Sequence, residues 1–422
     1  VGPDTTFSAG AVFGGVNGIV AIQGDMYSQY NITGQLLYPP DSLIGNRISV
    51  GRQGVFPGAT VASDMTNYLM VWREFNGDFN GQFISTSGNL VGTYFTIATN
   101  THLIRPSFGL IFGDTTYLTL FVEADTFLYG QLVSKSGNLI GGQIQISNNF
   151  ARDISVAYDG TNYLVAWVEI IPDRDKDVYG QFVSKTGSLV GSNFLIDGGP
   201  YYSDNSTSLA FDGARYLLGQ HESTGDATRL LGRFITTSGS VEQTILICDS
   251  TEYPHFPSVA CDGSNYLITW TQLYDRQLLG RFWTPSGVPM DVPFVVLDSI
   301  DNNIPFGGCG FGGTMYLVVG SRVDPSFSDG DVYGRFYPQT GIEEASVQKP
   351  GCVIELRSYP NPFASYTTIP GFAEESFNLY DASGRMMGTY KGDWIGADLA
   401  PGIYFVQRQN SNSELSRIVK VR

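Results

Sequence analysis

Three histidines, His102, His221 and His255, are the only imidazoles in the chain. A metal centre or a proton shuttle built on them needs partners at turn or strand spacing. None of the three belongs to an H-x-x-x-H pair or to a cysteine–histidine cluster. His221 is followed by Glu222 where neighbouring segments end an apolar strand, so the pair is expected to line a face, open to solvent and not catalytic. No G-x-S-x-G elbow, phosphate loop or dinucleotide fingerprint opens a strand–turn–helix passage.

Carboxylates are plentiful. Asp173, Asp175 and Asp177 alternate in Asp-Arg-Asp-Lys-Asp, the opening pattern of a calcium loop built on hard oxygen ligands. The sixth position, where such a loop turns on glycine, is Val178, and Arg174 and Lys176 offset the acids. Asp78 and Asp331 occupy the place of Asp177 in other repeats, so Asp177 is expected to cap a turn. No cofactor or metal is therefore expected, with calcium at this loop as the alternative. A glycosidase would need two carboxylates flanking the scissile bond. Asp64, Asp159, Asp212 and Asp262 instead fall at one repeated turn, and repetition argues for turn chemistry.

The four cysteines do not make a disulfide framework. Cys261 and Cys309 share strand parity in successive repeats and should not face each other, so both are expected as free buried thiols. Cys248 and Cys352 are the remaining possible bridge.

The elements that must hold these groups repeat. Gly-Gln/Arg-Phe/Leu recurs at Gly34, Gly81, Gly130, Gly180, Gly232, Gly280 and Gly334, at spacings of 47 to 54 residues. A Tyr-Leu pair recurs at Tyr68, Tyr117, Tyr163, Tyr216, Tyr266 and Tyr316, and degrades to Gly18-Ile19 in the first repeat. A third glycine follows each later triplet by seven residues, at Gly88, Gly137, Gly187, Gly239, Gly287 and Gly341. Each unit reads as four strands: a small-residue strand, a turn, the most apolar strand, the triplet strand, and a last strand after a Ser-Lys-Thr-Gly type turn. Four-stranded units at this period are the signature of propeller blades. The expected fold is all-β: a seven-bladed β-propeller over residues 1–340, a linker over 341–351, and a small Ig-like β-sandwich over 352–422. The small residues Ala9, Gly10, Ala59, Ser107, Ser155, Ser258, Gly307 and Gly308 suit inner strands crowded about a central channel. After the last triplet strand, residues 343–348 make a poor fourth strand, so the seventh blade is expected to expose an outer edge that could accept another strand.

Composition agrees with this. Charged residues are 15% of the chain, with 51 Gly, 24 Tyr and 27 Phe, a mixture that favours strands and tight turns. The formal net charge of −16 lacks the basic footprint of a nucleic-acid binder. No run of 18 apolar residues offers a transmembrane segment. The start at Val1 is read as a trimmed product.

At the C-terminus, Tyr359-Pro360-Asn361-Pro362-Phe363, the Leu379-Tyr380-Asp381-x-Ser383-Gly384-Arg385 hairpin and Leu399-Ala400-Pro401-Gly402-Ile403-Tyr404 follow one another. This order resembles the C-terminal sorting domain of type IX secretion substrates, and Gly341-Ile342-Glu343-Glu344 resembles the linker before it. The resemblance covers roughly the last 80 residues and implies export across a bacterial outer membrane, hence an extracellular or cell-surface location. The repeats resemble propellers of large secreted bacterial proteins, which implies a fold and no activity.

The expectation is a non-enzymatic structural or adhesive protein, self-associating head-to-tail through its C-terminal domain or open edge, or meeting surface glycans. A lectin-like carbohydrate binder and a glycoside hydrolase or lyase are the alternatives.

Overall fold

The computed structural model describes residues 7–13, 17–23, 32–38, 42–50, 55–74, 76–99, 101, 108–123, 127–170, 176–198, 207–223, 228–249, 253–298, 304–313, 315–323, 330–338, 367–368, 376–381, 385–391, 394–395, 399–408 and 415–420. The chain divides into two compact units, Val1–Gly341 and Ile342–Arg422.

The first unit is a succession of antiparallel sheets, each made from consecutive strands in simple up-and-down order. Six are four-stranded, spanning residues 7–49, 55–98, 109–145, 151–197, 207–249 and 254–297. The seventh, residues 304–338, has three strands among the described residues. The expected open outer edge at 343–348 lies outside them. The first strand of each sheet lies against the first strand of the next, and that of the seventh against that of the first. The arrangement is propeller-like, and among the described residues no sheet borrows a strand from the other terminus.

Each sheet is sandwiched between two others, so its second strand is buried on both faces and reads as an apolar run. In Asn162–Ile170 every residue but the two ends is buried. Fully burying one such large apolar side chain stabilises by about 1.5–3 kcal/mol. The outer strands alternate less and face solvent, as in Leu139–Gln145.

The repeated markers have separate physical causes. The triplet glycine lies under a side chain of the fourth strand: a Cβ at Gly180 would sit 2.7 Å from Phe194, and one at Gly280 2.8 Å from Phe294. The residue after it faces a β-bulge in the fourth strand, where the pairing steps from Gly34–Ile48 to Leu36–Ile44, Gly81–Phe95 to Phe83–Val91, Gly130–Ile144 to Leu132–Ile140 and Gly180–Phe194 to Phe182–Val190. Its amide satisfies the carbonyls that the bulge leaves behind. Gln82 Nε2 donates to Phe83 O (2.9 Å) and Val91 O (3.0 Å), and Gln35, Gln131 and Gln181 do the same. The later glycine turns the chain at positive φ, 90° at Gly239, and packs that turn on Phe182 and Phe194 of the preceding sheet.

The Tyr of each Tyr-Leu pair reaches across a seam to the turn of the preceding sheet. Tyr68 Oη donates to Asn17 O at 2.6 Å, Tyr163 to Thr116 O at 3.1 Å and Tyr316 to Asn265 O at 2.9 Å. Tyr117, Tyr216, Tyr266 and Tyr316 also lie beside Asp64, Asp159, Asp212 and Asp262. Burial first, and the neighbouring carboxylate second, push all four phenols well above their ordinary range. The same aspartates hold their own turns through Oδ1, as when Asp159 accepts from Thr161 N and Asn162 N, both at 2.7 Å. The repeated aspartates are thus turn caps and seam partners together.

The second unit contains an antiparallel four-stranded sheet of Met386–Lys391, Ser376–Asp381, Gly402–Arg408 and Leu415–Lys420, in that spatial order, and a short pairing of Thr367–Thr368 with Trp394–Ile395. Phe377, Leu379, Ile395, Tyr404 and Val406 form its core. Two of the C-terminal motifs are local locks. Arg385 closes its hairpin on Asp381 (Nε to Oδ2, 3.0 Å), and Tyr404 Oη donates to Ala400 O at 2.8 Å.

Candidate functional site

In a repeat protein, a site is marked by what one repeat does and the others do not. The second strands carry Trp72, Phe121, Trp167 and Trp270 at one shared position, and the fifth sheet carries Gln220 there, followed by His221 and Glu222. After the triplet glycine the first four sheets have glutamine, whereas the fifth has Arg233, in register with Thr244, and the sixth and seventh have Arg281 and Arg335.

These exceptions meet. Gln220 and Glu222 point toward the fourth sheet and His221 toward the sixth, because neighbours on a strand face opposite ways. On the fourth-sheet side, Gln220 Nε2 donates to Asp197 Oδ2 at the end of Leu189–Asp197. Arg233 Nη2 reaches Asp197 Oδ1 at 2.7 Å, while its Nε donates to Gln220 Oε1 at 3.2 Å and its Nη1 to Thr244 Oγ1 at 3.0 Å. One turn along, the Glu222 carboxylate, 3% exposed, pairs with the Arg229 guanidinium, 40% exposed. Each buried charge has its opposite, as burial in low dielectric demands.

On the sixth-sheet side, the rings of His221 and His255 lie 4.1 Å apart at 31°. His255 Nδ1 is 3.0 Å from Tyr253 O, so that nitrogen carries a proton and donates. Tyr253 and Tyr274 follow, with rings 4.5 Å apart at 54°. Phe256 flanks His255 at 5.8 Å. Tyr274 is 65% exposed and Phe256 37%. Of six described non-glycine residues at positive φ, three belong here: Tyr253 (52°), Phe256 (54°) and Arg276 (54°). Bulky residues in that region store strain, which clusters at binding and catalytic sites.

The result is an exposed aromatic platform on the sixth-sheet side, next to the His221–His255 pair, and a separate network of guanidinium, amide and carboxylate groups on the fourth-sheet side of the same strand. It can stack on a flat, partly apolar ligand and offer hydrogen bonds at the rim. Glu222 is held by Arg229 and Asp197 by Arg233, so both carboxylates are already engaged.

His221 and Glu222, expected to lie open to solvent, are both buried at 2%. The reason is the sandwiching of the second strand between neighbouring sheets. Asp173, Asp175 and His102 lie outside the described residues. Asp177 stands within Lys176–Ser184, opposite Glu169, and the turn it is expected to cap lies outside the described residues. No group of three or more His, Cys, Asp or Glu side chains is placed to hold a metal ion among the described residues. Cys261 and Cys309 are free thiols, and Cys352, the expected partner of Cys248, lies outside the described residues. Burial pushes the Cys261 thiol up to about 12 and that of Cys309 up to about 11. Asp197, Gln220, Arg233, Tyr253, Phe256 and Tyr274 did not stand out in the sequence. The signal for one of them was there, in the loss of the tryptophan at Gln220, whereas Arg233 is shared with Arg281 and Arg335 of the next two repeats.

No family model matches the sequence, and no curated protein matches it. Solved structures do. The chain is similar to the β-propeller domain of the Trilobed protease from Pyrococcus furiosus, at 11% identity and a TM-score of 0.50 over 82% of this chain and 99% of that one. It is also similar to the BP39L lectin from Burkholderia pseudomallei, at 10% identity and a TM-score of 0.60 over 80% of this chain and 97% of that one. Identities this low speak to architecture alone, and the architecture is that of a β-propeller.

Proposed function

We propose that this chain is an exported, non-enzymatic adhesive protein: a seven-bladed propeller that holds glycans on the aromatic platform at the junction of its fifth and sixth sheets. One observation carries the reading. Tyr253, Tyr274 and Phe256 gather at one end of the sixth sheet, two of them in strained backbone, next to the imidazoles of His255 and His221. A pyranose ring has an apolar face for aromatic stacking and a rim of hydroxyls for hydrogen bonds. The fold is one that a bacterial lectin also uses. The C-terminal unit, with its Asp381–Arg385 hairpin and Tyr404 lock, fits the proposed role of a type IX sorting domain, which would bring the protein to the cell surface.

The hydrolase alternative is less favoured. It asks for a proton-donating acid and a free carboxylate, whereas Glu222 and Asp197 are both tied to arginines.

A glycan array probed with the full chain tests the proposal. Binding to a defined sugar set is expected, weakened about two- to tenfold by Tyr274→Ala, since one stacked aromatic contact is worth about 0.5–1.5 kcal/mol. An array without hits, or hits that Tyr274→Ala leaves unchanged, would overturn it.

A further inference from the structure

The seam between the fifth and sixth sheets holds two buried hydrogen-bond donors that no acceptor meets. Trp270 and Thr228 are 1% and 5% exposed, yet Trp270 Nε1 and Thr228 Oγ1 have no hydrogen-bond partner. Trp270 belongs to the sixth sheet and Thr228 to the fifth. Strand register turns both into one seam. Arg229 pairs with Glu222, which faces the fourth sheet, so Thr228 and Leu230 on either side of Arg229 face the sixth. Leu230 packs with Trp270 there, and His221 is its cross-strand neighbour.

A sister sheet shows what is missing. Trp167 holds the same position in the fourth sheet, and its Nε1 donates to Glu169 Oε2 at 3.3 Å. Two residues beyond Trp270 the sixth sheet has Gln272 in place of that glutamate, and the indole stays unbonded. Opposite Trp270 the first strand bulges. His255 pairs with Thr271 and Ser258 with Thr269, which leaves Phe256 and Pro257 across from the indole-bearing residue. The strained Phe256 of the platform is therefore part of the bulge at Trp270. Gly219 of the fifth sheet lets that bulge close in, since a Cβ there would lie 3.4 Å from Pro257 and 2.8 Å from Val259. Two other buried indoles lack an acceptor, Trp72 in the second sheet and Trp283 at the far end of this seam, and neither has the platform beside it.

A buried donor without an acceptor costs free energy until something supplies one. An indole N–H can only donate. A sugar hydroxyl would bring a hydrogen that needs an acceptor of its own, whereas a carboxylate only accepts. The carboxylates of Glu222 and Asp197 are engaged on the other side of the strand. His221 and His255 stand on this side, and imidazoles can carry the positive charge that a buried carboxylate requires. The adjacent turn carries Asp275 and Arg276, which offset each other in charge.

We propose that the platform selects acidic saccharides: a sugar ring stacks on the aromatic side chains, and its carboxylate enters the seam to accept from Trp270 Nε1 and Thr228 Oγ1. This rests on the glycan reading above and names the class of glycan.

Titration of the full chain with oligogalacturonate and with sialyllactose, each beside its carboxyl-reduced form, tests this and separates uronic from sialic acids. At least one acidic sugar is expected to bind at least about tenfold more tightly than its reduced form. Thr228→Val and Trp270→Phe should each weaken the acidic sugar about ten- to hundredfold, the worth of a hydrogen bond to a charged group, and leave the reduced form unchanged. Tyr274→Ala should weaken both forms. Thr228→Val keeps the side chain's shape and removes an unsatisfied hydroxyl, so its urea midpoint should not fall, and it carries the test if Trp270→Phe does not fold. Equal binding of acidic and reduced sugars, both weakened by Tyr274→Ala, would overturn this inference and leave the glycan platform standing. So would a Thr228→Val chain that binds the acidic sugar as the original does. No binding of any sugar would overturn both.

Discussion

Replacing Arg233 by glutamine isolates the polar network of the fifth sheet. Glutamine is what the first four sheets carry after the triplet glycine, and there it bonds two backbone carbonyls, so the fold accepts the residue. What is lost is the cation that Asp197 and Gln220 share. Stripping one partner from a fully buried ion pair costs about 3–5 kcal/mol, and an exposed pair is worth about 0–1 kcal/mol. The side chains of Arg233 and Asp197 are 13% and 20% exposed, so the pair lies nearer the buried limit. We expect Arg233→Gln to destabilise by about 2–3 kcal/mol. Asp197→Asn should cost a similar amount, because it leaves the guanidinium buried without its counter-charge. The double variant should fall short of the sum by about 1.5–2 kcal/mol, the coupling of groups in direct contact. Equilibrium unfolding in urea, which adds no salt to screen the pair, followed by tryptophan fluorescence, gives all three values if the slope is unchanged. An Arg233→Gln chain within about 0.5 kcal/mol of the original, or strict additivity in the double variant, would refute the account of this seam.

Alkaline pH should unfold the first unit. The buried tyrosines and the thiols of Cys261 and Cys309 have folded pKa values raised above their unfolded ones, so their contribution is complete below the unfolded values. It is lost as pH rises from about 9 toward about 12, and urea midpoints measured from pH 7 to 11 should fall only above about 9. Gly180→Ala should cost about 1–3 kcal/mol by driving a Cβ into Phe194, whereas Gly142→Ala, with open space around it, should stay within about 0.5 kcal/mol. Thermal or urea unfolding of the two side by side checks both.

The repeat was legible from end to end because its causes are local and recur. A glycine under an aromatic ring, a bulge amide, a positive-φ turn and a tyrosine at a seam each leave the same letter at the same spacing. From these the sequence alone determined an all-β chain of four-stranded units, and it assigned the repeated aspartates to turns, which Asp64, Asp159, Asp212 and Asp262 cap. His221 and Glu222 could be picked out as unusual, yet their burial could not, because it is imposed by the sheets on either side.

Tertiary structure decided the meetings between repeats. His221 and His255 stand 34 positions apart in sequence and 4.1 Å apart in space, and Asp197 joins Arg233 across a seam. Tyr253 and Tyr274 are ordinary tyrosines among 24 until a turn folds one ring against the other.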